Sequence, residues 1–284
     1  FYILKDTTTP TLADAQDGDD TWRNTNSGYY DVNFYDTGGS KLSYFETQIY
    51  DAQNKGGSLI QNWTVQIASI NSNSWTTDWQ ISTETWNSLK QGKNYVSIRC
   101  WDNAGSSTET IDAFYILKDT VYPTITNYEE GGDEVWRSSS VFYNVDFFDT
   151  GSYLECARYI VHSSTEMLGN LILDWQNIFD STCTSYTDDW EVLFSSLTEG
   201  YNYVTVECYD HLAQTTTIVD AFFIKKDTSI PYFDNNQTGD NTWRRINNGF
   251  YDVDFYDVGP SSISYFQTRV STLVVGGTYL YDWE

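Results

Sequence analysis

The sequence is poor in several residue types that mark common protein classes. Its 284 residues include 1 Met, 2 His and 4 Pro, and its 15 Lys and Arg stand against 40 Asp and Glu, for a net charge of -25. Such an acidic chain repels phosphate backbones, so nucleic acid is not expected as a partner. No apolar run reaches the ~20 residues that cross a bilayer, so no membrane span is predicted in this window.

Aromatic residues are abundant by contrast, at 17% of the chain with 23 Tyr and 11 Trp. This content argues against a disordered chain. Apolar and polar residues alternate with the period of two that is typical of half-buried strands, as in Tyr30 to Tyr35 and Asn94 to Trp101. No stretch combines helix caps with an apolar stripe, so no helix is predicted.

A heptapeptide recurs along the chain. FYILKDT occupies residues 1–7 and 114–120, and FFIKKDT occupies 222–228, a spacing of about 110 residues that matches one small domain. Short strands and frequent turns in each unit predict an all-β fold of tandem antiparallel β-sandwiches with about seven strands each. The predicted segments are the last strand of a preceding module (1–7), a first module (8–119), a second module (120–227) and the first half of a third (228–284). The chain is therefore expected to be a window on a longer tandem array, and the alternative is a subunit completed by its neighbours, with residues 1–5 pairing as a strand in another copy.

The end of the first module carries a family resemblance. SLKQGKNYVSIRCWDNAG at residues 88–105, followed by FYILKDT and Pro123, resembles the second half of bacterial and archaeal tandem immunoglobulin-like repeats of extracellular surface proteins. The second module repeats LTEGYNYV at residues 197–204 but departs from the hairpin motif at residues 208–213. The resemblance implies an immunoglobulin-like fold and an extracellular or cell-surface location. It says little about function, because such modules host many roles.

Aspartates recur where such sandwiches bring the linker and two loops to one end. Calcium prefers six to eight oxygen ligands, so calcium at the junctions between modules is one prediction. The alternative is that each aspartate forms a turn by bonding its own backbone. The predicted set comprises Asp6, Asp36, Asp102, Asp119, Asp149, Asp210, Asp227 and Asp257.

The cysteines and two Asn-x-Thr motifs predict covalent modifications. Cys156 and Cys183 occur only in the second module, which suggests a disulfide between them, with Cys156–Cys208 as the alternative. Cys100 and Cys208 fall on the core faces of equivalent strands and are predicted to be small buried residues. Asn62 and Asn236 are candidate glycosylation sites, and an unmodified turn is the alternative at each.

Strand alternation also predicts an outward aromatic face. Its members could stack on glycans, contact a protein or pair with one another across strands. They are Tyr35, Tyr95, Trp101, Tyr203 and Tyr209. The acidic runs at residues 17–20 and 129–134 are predicted to be solvated loops.

No feature of the sequence satisfies the requirements of an active site, and no enzymatic activity is predicted. The leading hypothesis is an extracellular structural repeat protein of a fibre, filament, stalk or surface layer, in which neighbouring modules or copies associate. The alternatives are an adhesin or carbohydrate-binding repeat that recognises glycans, and an accessory region of a large secreted enzyme.

Overall fold

A computed structural model describes residues 1–16, 21–129, 131–237, 239, 241–273 and 277–284. The acidic run 17–20 and Glu130 of the second acidic run lie outside these residues. The first module contains β1 (Thr11–Asp14), β2 (Trp22–Arg23), β3 (Val32–Tyr35), β4 (Leu42–Ala52), β5 (Gly56–Ile67), β6 (Ser74–Trp75), α1 (Thr83–Ser88), β7 (Gly92–Asp102) and β8 (Ser107–Lys118).

The second module repeats this order. It contains β9 (Thr124–Asn127), β10 (Trp136–Arg137), β11 (Phe142–Tyr143), β12 (Val145–Phe148), β13 (Leu154–His162), β14 (Leu171–Cys183), β15 (Ser185–Tyr186), β16 (Trp190–Glu191), a 3₁₀ turn (Phe194–Ser196), β17 (Gly200–Asp210) and β18 (Thr215–Lys226). Residues 228–284 contain β19 (Tyr232–Asn235), β20 (Val253–Tyr256), β21 (Val270–Ser271) and β22 (Tyr279–Tyr281).

Each module builds a large sheet with the same strand order. The order is β2-β8-β7-β4-β5 in the first module and β10-β18-β17-β13-β14 in the second. Smaller sheets, β1-β3-β6 in the first module and β15-β12-β9 and β11-β16 in the second, complete the sandwiches. All pairings are antiparallel except the two-residue pairs β2–β8 and β10–β18. The all-β fold of tandem antiparallel sandwiches is confirmed, while the module boundaries remain predictions.

Aromatic side chains join the two sheets of each sandwich. Phe34 of β3 stacks on Phe45 of β4 with ring centroids 4.2 Å apart, and both side chains are fully buried. In the first core Tyr30 also stacks on Phe114, and in the second core Tyr143 stacks on Phe222 in the same way. The ring centroids are 4.5 Å apart in both pairs. Offset aromatic pairs of this kind add to the free energy gained by burial.

The short helix α1 was not predicted from the sequence. It has six residues, and Ser82 caps it by accepting a hydrogen bond from the backbone N–H of Thr85. A helix of fewer than two turns is too short to show an apolar stripe. Its only available signal was the serine followed by a threonine-rich turn, which is also typical of loops.

In each module, the lysine just before the linker aspartate is buried and donates hydrogen bonds to backbone carbonyls of the segment that precedes β7 or β17. The Lys118 ammonium donates to the carbonyls of Trp86 at 2.9 Å and Leu89 at 3.1 Å, and the Lys118 side chain is almost completely buried. Lys226 repeats the contact with the carbonyl of Leu197 at 2.8 Å. Burial lowers the pKa of Lys118. The lysine of the repeated heptapeptide therefore adds a charged donor to the carbonyl of Trp86, which also accepts from the N–H of Leu89, and to the carbonyl of Leu89 at the end of α1.

We expect Lys118→Met to lower the free energy of unfolding by about 2 to 3 kcal/mol, because charge-assisted bonds are lost and the carbonyl of Leu89 loses its lysine donor. Denaturant melts of the full chain provide the measurement. Lys90→Met is the matched control, because Lys90 is exposed and should tolerate the change within about 0.5 kcal/mol. Equal losses in both variants would contradict this role for Lys118.

Candidate metal centres at the linkers

The linker after each module is held by the module that precedes it. The backbone N–H of Asp119 donates to the carbonyl of Arg23 at 2.9 Å, and Asp227 repeats this bond to Arg137 at 2.9 Å. Gln91 binds Thr120 twice, because its Oε1 accepts from the backbone N–H at 2.9 Å and its Nε2 donates to the hydroxyl at 2.6 Å. The linker backbone is therefore fixed before the next module begins.

The carboxylate of each linker aspartate is held by the module that follows it. The backbone N–H of Ser152 donates to Asp119 Oδ2 at 2.6 Å, and Ser40 donates to Asp6 Oδ2 at 2.8 Å. Asp227 accepts from Ser261 at 2.9 Å in the third copy. The same contact therefore recurs at all three linkers.

A glycine makes room for each linker carboxylate. A Cβ atom added at Gly151 would lie 2.2 Å from Cγ of Asp119, and one added at Gly38 would lie 2.2 Å from Oδ2 of Asp6. The third copy repeats this approach between Gly259 and Asp227. The Thr-Gly turns after Asp36 and Asp149 thus serve a close contact as well as a turn.

The structure brings six of the eight predicted aspartates together in two groups of three. Within each group, one carboxylate oxygen from every member lies within 4.8 Å of the others. The groups are Asp6, Asp36 and Asp102, and Asp119, Asp149 and Asp210. At the third linker Asp227 and Asp257 occupy the corresponding places, and the described residues add no third acidic side chain there.

Each complete group contains a buried carboxylate oxygen without a hydrogen-bond partner. These atoms are Oδ2 of Asp102 and Oδ2 of Asp149, and both residues are only 3% exposed. The hydroxyl of Ser152 beside the second group is also buried and unpartnered. Asp112 and Asp220, outside both groups, also have an unpartnered buried oxygen, but among the described residues only in the two groups do such oxygens lie beside two further carboxylates, where a cation could use them as ligands.

The electrostatics of the groups favour a cation. Asp119, Asp149 and Asp210 are all buried, and two ionised carboxylates about 5 Å apart repel by about 3 kcal/mol at an effective dielectric constant of about 20. Burial raises the pKa of Asp149, and the charges of Asp119 and Asp210 add to this rise. A divalent cation would offset both the burial and the repulsion.

The linker aspartates of the first and third copies, Asp6 and Asp227, have lowered pKa values. The hydrogen bonds from Ser40 and Thr8 lower the pKa of Asp6 to about 2. The hydrogen bonds from Ser261 and Ser229 lower the pKa of Asp227. Both shifts favour the ionised carboxylate, which is the form that binds a cation.

The turn-forming and metal-binding interpretations apply to different oxygens of the same side chains. Oδ1 of Asp102 accepts from the backbone N–H groups of Ala104 and Ser106 at 2.9 and 2.7 Å, as a turn-forming aspartate does. Oδ1 of Asp36 accepts from Gly38 at 2.8 Å. These turns orient the carboxylates and leave Oδ2 of Asp102 without a donor. The donor set consists of hard oxygens, which suits calcium.

The disulfide predicted between Cys156 and Cys183 is not formed, since all four cysteines are free. A β-bulge between Leu154 and Cys156 turns Cys156 to the outer face, where it stands opposite Tyr209. Cys183 packs against the core on the other face of the same sheet. The alternative pairing fails for the same reason, because Cys208 also lies on the core face.

Four of the five predicted outward aromatics contact partners within their own sheet. Tyr95 packs against Tyr115 and Tyr203 against Phe223, with centroid distances of 6.2 and 6.1 Å. The guanidinium of Arg99 lies over Trp101, and that of Arg158 lies over Tyr209. Tyr35 is 38% exposed. Cross-strand pairing therefore accounts for most of this face.

The two candidate glycosylation sites differ in their setting. Asn62 is exposed on β5, an edge strand, and its Oδ1 accepts from the backbone N–H of Trp63 at 2.8 Å. Asn236 is exposed and its amide donates to Asp254 at 3.2 Å. The threonine of its motif, Thr238, lies outside the described residues. Glycosylation stays a prediction at both positions.

Comparisons with known proteins give only weak similarity to solved structures. No family model matches the sequence, and neither does any curated protein. Among solved structures, the chain is similar to Clostridium thermocellum CbhA fibronectin(III)-like modules, with 12% identity, a TM-score of 0.27, and 76% of this chain and 95% of that chain covered. Identities and scores this low support no conclusion about ligand or function.

Two further structures show the same weak similarity. A tetra-tandem repeat from the extending region of a large adhesion protein has 15% identity and a TM-score of 0.35, and the match covers 82% of this chain and 53% of that one. The calcium binding domain CBD12 of CALX1.1 has 12% identity and a TM-score of 0.21, with 64% and 74% covered. Within the part of the chain that the structure describes, no helix is long and apolar enough to cross a bilayer.

Proposed function

We propose that this chain belongs to an extracellular structural repeat protein, a component of a fibre, filament, stalk or surface layer, whose modules meet at stiff junctions. The observation that carries the proposal is the position of Asp119, whose backbone is bound by the first module and whose carboxylate is bound by the second. Trp22 and Tyr153 add a contact across the same junction, with ring centroids 6.1 Å apart. A linker held at both ends transmits orientation from one module to the next.

Calcium at the junctions is the second part of the proposal. Each complete group would use its linker aspartate together with the two loop aspartates, so that an ion binds residues of both the linker and the following module. The ion would replace repulsion between carboxylates by coordination, which favours the aligned arrangement of linker and loops. The unpartnered oxygens of Asp102 and Asp149 support this assignment.

The structural role is preferred over glycan binding because the predicted aromatic face is largely occupied. Arg99 lies between Trp63 and Trp101, at 4.2 and 5.2 Å from the ring centroids, so these rings already have a partner. A lectin-like site needs aromatic faces that are free to stack on a sugar. The natural partners in this proposal are neighbouring modules of the same protein or other copies of it.

The test compares thermal melting and small-angle scattering of the full chain in Ca²⁺ and in chelator. An ion present at about 100 times its dissociation constant stabilises the folded state by about 2.7 kcal/mol, which raises Tm by roughly 5 to 10 °C. Scattering should show a longer and less variable particle in Ca²⁺. Potassium chloride at equal ionic strength controls for screening. An unchanged Tm together with an unchanged scattering profile would rule out calcium-stiffened junctions.

A further inference from the structure

One difference between the two complete junctions lies at the position that follows the last hairpin turn. Ser106 in the first module and Gln214 in the second make the same backbone bonds, because each accepts from the N–H of its aspartate through its carbonyl, at 3.0 and 3.2 Å. Each also donates its own N–H to Oδ1 of that aspartate, at 2.7 and 2.8 Å. Ser106 and Gln214 therefore make the same backbone hydrogen bonds, and they differ in their side chains.

The side chain of Gln214 reaches the acidic group of the second junction. Its Nε2 donates to Oδ2 of Asp210 at 2.8 Å and to the carbonyl of Val121 in the linker at 3.3 Å, and the residue is only 7% exposed. In the first junction the corresponding oxygen, Oδ2 of Asp102, is buried and has no partner. A neutral amide thus contacts the oxygen that is left without a donor in the other copy.

We propose that Gln214 determines the calcium affinity of the second junction by acting as an internal substitute for part of the ion's coordination. This inference rests on the proposed calcium role of the junctions. A cation that binds Oδ2 of Asp210 competes with the amide of Gln214 for the electron density of that oxygen, which opposes binding. The first junction has a serine at this place and no such competitor.

The second junction nevertheless keeps the properties of a cation site. Oδ2 of Asp149 and the hydroxyl of Ser152 are buried and unpartnered despite the presence of Gln214. The amide satisfies one carboxylate oxygen and leaves the charge of the group unchanged. The array therefore combines a tight junction with a weaker one, and the two respond to different calcium concentrations.

The experiment is a calorimetric titration of the full chain with Ca²⁺. The unmodified chain should show two sites of unequal affinity, and Asp102→Asn should remove the tighter site while Asp210→Asn removes the weaker one. Gln214→Ser should tighten the weaker site by about tenfold, since a hydrogen bond to a carboxylate no longer competes. Ser106→Gln, the reciprocal change, should weaken the tighter site by a similar factor.

The titrations distinguish a failure of the Gln214 role from a failure of calcium binding itself. Two sites whose affinities ignore both exchanges would overturn the role of Gln214 and leave the proposed function intact. No calcium binding by the unmodified chain would overturn the calcium part of the proposed function, and with it this inference. If Gln214→Ser fails to fold, Ser106→Gln alone decides, because an unchanged affinity at the first junction is then sufficient to reject the inference.

Discussion

Replacing Gly151 by alanine is expected to disconnect the two modules. The new Cβ would lie 2.2 Å from Cγ of Asp119, a separation that folded proteins do not tolerate, so the carboxylate must move. Asp119 is fully buried and Oδ2 is bonded to the N–H of Ser152 at 2.6 Å, so any movement breaks a charge-assisted hydrogen bond. We expect the free energy of unfolding to fall by about 2 to 3 kcal/mol. Calcium binding at the second junction should be lost as well.

The equivalent loop of the first module supplies the control. Gly39 has no atom within 4 Å of a Cβ added to it, so Gly39→Ala should leave stability and calcium binding nearly unchanged. Denaturant melts measure the stability, and small-angle scattering measures how freely the modules move. If Gly151→Ala behaves like Gly39→Ala in both measurements, the contact between Gly151 and Asp119 does not hold the junction.

The repeat made the junctions predictable. The recurrent aspartates could be assigned to one end of a sandwich because the order of strands fixes which loops share that end. The structure then brings Asp6, Asp36 and Asp102 together, although they are 30 or more residues apart in sequence. The positions of the aspartates within the repeated unit were sufficient to predict these groups, because strand order decides which loops meet and side-chain packing has little influence on it.

Side-chain direction was harder to predict. Alternation places every second residue on one face, but a bulge between Leu154 and Cys156 shifts the phase by one residue, so Cys156 faces away from Cys183. Bulges have no strong signature in a single sequence. The role of Gln214 was missed for a related reason, since its long side chain folds back onto Asp210 and only the structure shows this contact.

Removing one charge from the second junction is expected to change stability in opposite directions with and without calcium. Asp149 has a buried oxygen that no donor contacts, and burial and nearby charges raise its pKa. In chelator, Asp149→Asn should therefore raise Tm above that of the unmodified chain by a few degrees, because a repelled charge is removed. In Ca²⁺ the same variant should melt below the unmodified chain, because it lacks a ligand.

Opposite changes of Tm with and without calcium distinguish a metal site from a cluster of turn-forming aspartates. A purely structural Asp149 would give the same sign in both conditions, since its contribution would not depend on an added ion. Asp188→Asn removes the same formal charge from an exposed position, and a surface charge contributes little, so its Tm should follow the unmodified chain in both buffers. If Asp149→Asn melts above the unmodified chain in chelator and below it in Ca²⁺, while Asp188→Asn does neither, the effect belongs to the junction. A common sign in both buffers for Asp149→Asn would remove calcium from the second junction and leave its hydrogen bonds and the contact of Trp22 with Tyr153 as the connection.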